Sequence, residues 1–422
     1  MLSAKQTSKG HRLVCLRNPW GEFEWKGDWS DNSSLWTDDI VKEVGATFND
    51  KDGLFWMSYQ DFREHFSKVN ICHVHSKSGT AWKDFRIKGR FQYSGSDVSF
   101  PFISMTVEDA TEAWVSIHQD DERILHGQPY VDLGFVVLRK EKDGSLAFVD
   151  ACGGGWSREA QLNIPTLAPG SYMIVPFTSG HRREAKESRS LSKMFEAEEC
   201  FTTGFRQIIS EIFRRYDEDM SGFLAFREFS ELYQKAFNKD LSEDGFAALL
   251  QEYDSTDTGI TRDGFRDFLA QLKEDQVLKV IRNLGYNEKF HLVDERRFIV
   301  SVHAETAACT LKRTPYDSAL HEDALTKWVS ATGVPTEYDN GNLIVYQLSR
   351  GTAGTTLAVK SNYAENCQVT VDCNKSDNVG TTSDSLAVEK TIPAGTLAVF
   401  HHLFPLDASS TWRWAYRLNI VR

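Results

Sequence analysis

The sequence predicts a multidomain α+β protein, and three observations carry that expectation. Its 422 residues make roughly three domains at ordinary domain size. Short runs of aromatic and branched residues, separated by Gly, Asp and Ser turns, fill 81–178 and return over 311–422, as strands of antiparallel sandwiches would. Between them, Phe205, Ile208, Ile209, Ile212, Phe213 and Tyr216 recur at steps of three and four, the stripe of a helix packed on partner helices. The expected order is therefore a tryptophan-dense half-core over 1–75, a β-sandwich over 76–180, a helical lobe over 195–290 and a C-terminal β-rich, sandwich-like domain over 306–422.

Composition narrows the function. With 41% hydrophobic and 26% charged residues the chain can bury full cores, and a net charge of −12 argues against nucleic-acid binding while suiting cations. No run of eighteen apolar residues occurs and MLSAKQTSKGHR lacks a signal-peptide apolar region, so no transmembrane segment is expected. Seven scattered cysteines, an odd number, point to reduced thiols and a cytoplasmic location.

In 1–75, Trp20, Trp25, Trp29, Trp36 and Trp56 read as rings that fill a core. The segment RNPWG over 17–21 suits a catalytic role. The Asn18 amide oxygen could hold an imidazole in one tautomer, Pro19 biases Asn18 towards an extended conformation, and Trp20 could roof the Asn–His hydrogen bond. The runs LVCLRNPWGEFEWKGDWSD and KDGLFWMSYQDFREHFSKVNICHV resemble, in order and spacing, the last part of the calpain protease core, a papain-like fold. The resemblance implies a calcium-dependent cysteine endopeptidase in which Asn18 is the triad orienter. That family's order is Cys, His, Asn, and Cys15 and His11 lack the settings of its nucleophile and base, so both read as structural. The expectation is a chain truncated before the catalytic Cys and His and inactive alone. The same resemblance implies a weak calcium site at Glu24, Asp31 and Asp52 with the Asp50 carbonyl, weakened because Leu54 stands where a last glutamate normally comes.

The strands of 81–178, with DLGFVVLR and PGSYMIVP, resemble the calpain C2-like domain, and the polar 181–199 stretch reads as a solvated linker. DEDMSGFLAFRE over 217–228 fits an EF-hand calcium loop: Asp217, Asp219, Ser221, the Phe223 carbonyl and a bidentate Glu228 as ligands, Gly222 at the sharp turn. A second loop, DSTDTGITRDGF, starts at Asp254 and places Arg262 at position 9 and Phe265 at position 12, so it reads as a silent partner. RRFIVSVHAE over 296–305 looks like the closing strand of the C2-like sandwich, which makes the EF-hand pair an insertion within it; a simple tandem order is the alternative. VTVDCNKSDNV and VFHHL in the tail resemble the C-terminal domain of small-optic-lobes type calpains.

Three functions follow: a calpain-type protease family member, a non-catalytic calcium-sensing regulator or scaffold, and a cytoskeletal structural protein. The expected cofactor is Ca2+. Expected partners are protein substrates or an upstream protease half, with peripheral membrane contact through the C2-like domain as a further mode.

Overall fold

The structure is a computed structural model, and it describes residues 1–20, 24–49, 52–69, 82–94, 97–124, 128–153, 155–183, 194–197, 200–305 and 309–421. Asp50, Cys72, His73 and His75 lie outside the described residues. The chain divides into two compact units, Met1–His75 and Ser76–Arg422.

The first unit is a three-stranded antiparallel sheet, β1 (Ser3–Gln6), β2 (Arg12–Arg17) and β3 (Leu54–Ser58), with helices α1 (Asp38–Val44) and α2 (Tyr59–His65). Strand β2 is central, and its alternation sends Leu13 and Cys15 to one face and Val14 and Leu16 to the other, both buried. Trp29, Trp36 and Trp56 pack edge to face on the first of these, with centroids 5.0 and 6.3 Å apart. Trp20 departs from that pattern: it is 84% exposed.

The second unit opens with β4 (Lys83–Ser94), β5 (Asp97–Ser99), β6 (Phe102–Val107), β7 (Thr111–Gln119), β8 (Gly134–Lys140), β9 (Leu146–Gly153), β10 (Glu159–Leu167) and β11 (Gly170–Phe177). A hairpin, β12 (Phe195–Ala197) and β13 (Cys200–Phe201), leads into a helical lobe: α3 (Thr203–Tyr216), β14 (Phe223–Ala225), α4 (Phe226–Phe237), α5 (Glu243–Glu252), β15 (Gly259–Thr261), α6 (Arg262–Ala270) and α7 (Glu274–Asn283). The chain then returns as β16 (Glu295–Ala304) and β17 (Cys309–Thr314). The two sheets of the sandwich run β10-β7-β16-β4-β5 and β17-β6-β11-β8-β9. Strand β16 is thus an inner strand, antiparallel to both β4 and β7, and the lobe lies between β11 and β16 in the chain.

Two expectations need correction. The boundary at 306 moves, because β17 pairs with β6 from Cys309↔Val107 to Thr314↔Phe102 and belongs to the first sandwich. Its burial pattern seats Cys309 in the core and leaves most of the charged remainder outside, so little apolar signal marks it as a strand. The β-rich tail also holds a helix that the sequence reading did not assign: α8 (Ser318–Thr332) carries Ala324, Leu325, Trp328 and Val329 into the sandwich core, capped by the Asp317 carboxylate. The stretch after 180 is not wholly a solvated connector, since the His181 ring stacks on Phe404 at 3.5 Å and Met194 is buried in the lobe.

The remaining strands are β18 (Val334–Tyr338), β19 (Leu343–Ser349), β20 (Thr355–Ser361), β21 (Cys367–Asp372), β22 (Val379–Thr381), β23 (Ala387–Ile392), β24 (Leu397–Pro405) and β25 (Arg417–Val421). They form sheets β18-β19-β20-β24-β22 and β23-β21-β25 around a core that includes Cys367 and Cys373, both free thiols. A buried ion pair joins this domain to the sandwich. Arg350 donates to Asp132 Oδ2 at 2.6 Å and to the Leu403 carbonyl at 2.9 Å, while Asp132 also accepts from Thr178 and Ser179. With its other lone pairs satisfied, such a pair can offset its desolvation.

Candidate functional site

The lobe gathers one cluster of oxygen ligands. Helix α3 ends at Asp217, whose amide caps it by donating to the Phe213 carbonyl, so the carboxylate stands at the mouth of the following loop. Met220 and Gly222 then take left-handed conformations, φ 61° and 85°, which turn the loop back on itself. Short β14 follows, and α4 starts with Glu228 in its first turn. The result is that ligand oxygens of Asp217, Asp219 and Glu228 all lie within 4.8 Å of one another. The Ser221 hydroxyl donates to the Phe223 carbonyl at 3.0 Å, which sets those two oxygens side by side.

The local charges are arranged for a cation. Asp217 and Glu228 are 7% and 4% exposed, and Asp217 Oδ1 is buried with no hydrogen-bond partner among the described residues. Leaving a carboxylate oxygen so placed is costly unless something positive meets it. The Ser221 hydroxyl and amide hold the Asp219 carboxyl below its usual range. Glu228 already points both oxygens inward, accepting from the amides of Glu218 at 2.7 Å and Ala225 at 3.0 Å.

Position two of this loop escaped the sequence reading. Glu218 is gripped by Arg313 of β17 through two bonds of 2.6 and 2.5 Å, by Arg227 at 2.7 Å and by Arg90 of β4 at 3.3 Å. These bonds, Arg313 first, hold its carboxyl down at about 2. Lys88 of β4 donates to the Asp217 carbonyl, and burial lowers the lysine's affinity for its proton. The loop is therefore tied to two sandwich strands by three cationic side chains. Nothing in the loop's own motif signals this, because the cations come from strands far away in sequence.

The second loop is one residue shorter than its alignment on Asp254 suggests. Leu224 pairs with Ile260 and Ala225 with Gly259, so the strand contact sets Gly264, not Phe265, opposite the place that Glu228 fills. Asp254 is closed off by Thr261, whose hydroxyl donates to its carboxylate at 2.5 Å, and Arg262 begins a helix instead of facing a cage. A sequence signal existed: Asp217 and Asp254 are 37 apart, whereas Phe229 and Phe265, both fully buried, are 36 apart.

In the first unit, Asn18 follows β2 and extends its ladder, donating its amide to the Gly53 carbonyl at 2.8 Å. Its side-chain oxygen accepts from the Trp20 amide at 3.1 Å. Cys15 lies inside the sheet opposite Trp56, and burial raises its thiol above the usual value, the reverse of what a nucleophile needs. His11 rests on Trp29 at 5.0 Å. Glu24, Asp31 and Asp52 each accept a loop amide, from Gly53, Asn49 and Leu54. Among the described residues these three do not converge as the lobe's carboxylates do.

Comparison with known proteins identifies the first unit. Residues 1–73 match the calpain family cysteine protease. Over these residues the chain is similar to calpains. Calpain-14 of Homo sapiens is 56% identical over 61 residues, 14% of this chain and 9% of that one. Similarity to calpains also runs beyond this unit. The calpain-type cysteine protease DEK1 of Arabidopsis thaliana is 38% identical over 207 residues, covering 42% of this chain and 10% of its own. The calpain-2 catalytic subunit of Homo sapiens is 25% identical over 284 residues, 62% of this chain and 37% of its own. The chain thus spans at most 37% of the length of these relatives. Among the described residues no helix is long and apolar enough to cross a membrane.

Proposed function

We propose that this chain couples the asparagine-bearing part of a calpain-type cysteine protease to a calcium-responsive regulatory body. The observation that carries the reading is the convergence of Asp217, Asp219 and Glu228 around a buried Asp217 oxygen that has no hydrogen-bond partner among the described residues. We read the helical lobe as an EF-hand pair with one active loop, inserted in a C2-like sandwich, and the tail as similar to the small-optic-lobes type of C-terminal domain. Asp217, Asp219, the Ser221 hydroxyl, the Phe223 carbonyl and bidentate Glu228 would hold calcium, and the bound ion would neutralise the loop's carboxylates. Glu228 accepts the Glu218 and Ala225 amides with the same two oxygens that would bind the ion, so calcium would compete with those bonds. That competition falls on the segment whose Glu218 is held by Arg90 and Arg313, so the sandwich would feel the loop's state.

Asn18 would orient the histidine of a Cys–His pair supplied from outside these 422 residues, in the cytoplasm, on protein substrates. A second reading, a non-catalytic calcium sensor or scaffold, is favoured by the buried, poorly ionising Cys15. Calorimetry on the chain should find one calcium site with Kd on the order of 10⁻⁶ to 10⁻⁴ M. Glu228→Gln should abolish it and Asp254→Ala should leave it within error; two equal sites, or a Glu228→Gln variant with unchanged affinity, would refute the assignment. The chain alone should not turn over a fluorogenic peptide, and turnover lost in Cys15→Ser would mean that Cys15 is a nucleophile after all.

A further inference from the structure

A second charged site lies at the neck of the lobe, away from the carboxylate cluster. The chain enters the lobe past Arg182 and Arg183 and leaves it past Lys289, His291 and Arg296, and these five side chains line one cleft of about 440 Å³. Among the described residues of its lining, Glu288 is the sole carboxylate. In a chain of net charge −12 such a local excess of cations is unexpected.

Arg296 is the decisive residue. It is 7% exposed, yet it makes no ion pair among the described residues, and its guanidinium is bonded to backbone carbonyls of Leu292 and Glu295. Its Nε has no hydrogen-bond partner among the described residues. The carboxylates nearby are engaged elsewhere: Glu295 with Arg215 at 2.9 Å, Asp294 with Lys235 at 2.9 Å, and Asp120 with Arg297 at 2.7 Å. Arg183 has a second buried Nε without a partner among the described residues, and its guanidinium lies 4.1 Å over the Trp156 ring. Arg182 stacks over Tyr93 at 4.4 Å and donates to the Val293 carbonyl. Aromatic faces and backbone carbonyls hold these cations in place without cancelling their charge.

We propose that this neck cleft binds a compact, multiply phosphorylated anion. Several cations brought together by both crossings of the chain repel one another, and a single carboxylate would leave most of that repulsion unrelieved. Guanidinium forks match phosphate oxygens, and a ligand with several phosphates can bridge the incoming and outgoing chains at once. Such a ligand would brace the lobe on the sandwich through residues other than those that tie Glu218.

The test uses the whole chain in calcium-free buffer with a chelator, titrated calorimetrically with inositol hexakisphosphate and, separately, with inorganic phosphate. One hexakisphosphate should bind per chain, more weakly as salt rises, and inorganic phosphate should bind far less tightly. Lys289→Glu and Arg183→Ala should each cost about tenfold or more in affinity, the worth of one charge-assisted bond, without lowering the melting temperature of the free chain. Phosphatidylcholine vesicles with and without a phosphatidylinositol phosphate separate the sources: sedimentation with the phosphorylated vesicles assigns a lipid headgroup, and binding of the soluble anion alone assigns a free phosphate ester. No binding of either probe, or affinity unchanged in both variants, would overturn the proposal.

Discussion

Glu228 and Gly264 stand at matching points of two loops, and the contrast underlies the proposal that the first loop holds a cation and the second does not. Glu228 sends its carboxylate into the loop, whereas a Cβ at Gly264 would lie 2.0 Å from the Asp254 carbonyl oxygen. Restoring the acid there should therefore fail. Gly264→Glu is expected to create no second calcium site by calorimetry and to lower lobe stability by about 1–3 kcal/mol in denaturant unfolding, because the backbone has to part to admit the side chain. Gain of a second site would show that the loop can re-open. At this scale the sequence placed Asp217, Asp219 and Glu228 in one loop, and the structure brings their oxygens together, whereas the role of Glu218 at position two was not read. The second loop was misnumbered by one, because alternate placements of a single deletion look alike until the β14–β15 pairing fixes the register. The arginines on Glu218 were not legible, because Arg90 and Arg313 reach it only through the fold.

Among the elements, β16 depends on one small residue of its neighbour. Phe298 of β16 sits opposite Gly89 of β4, and its ring occupies the space in which a Cβ would fall, 2.3 Å away. The ring cannot swing aside, being fully buried with Phe91 at 4.7 Å. Gly89→Ala should cost about 1–3 kcal/mol in chemical denaturation. Adding Phe298→Leu should recover part of that loss, and strict additivity of the two substitutions would show that they do not meet. Strands such as β6, β7 and β11 were readable from their branched and aromatic runs. Strand β10 was not, as an edge strand with Pro165 and a register shift between Ile164 and Leu167 offers little alternation. Helix α8 was hidden by the β-rich segments around it, although Ala324, Leu325, Trp328 and Val329 keep helical spacing.

Over the whole molecule, the seam between the sandwich and the C-terminal domain is rich in histidines that the fold keeps neutral. Burial pushes His181 and His321 down to about 4 and lowers His402 as well, and Phe177 lies 6.4 and 5.6 Å from the last two rings. Since folded values lie below the unfolded value near 6.5, this contribution is full above pH 6.5 and is lost as pH falls towards 4. Melting temperature should drop over that range, and in His321→Phe, which keeps a ring between Phe100 and Tyr316, the stability lost between pH 6.5 and 4 should be smaller by up to about 3 kcal/mol. An unchanged slope would place the acid sensitivity elsewhere. The position of β16 between β4 and β7 has a consequence for biosynthesis. On the ribosome, both neighbours emerge long before it, and their facing edges must wait, with backbone groups unpaired, until residue 304 has been made. Closing so long a chain segment is slow, so early consolidation of the lobe, which brings its two ends together, shortens the interval in which a nascent half-sheet can capture the wrong strand.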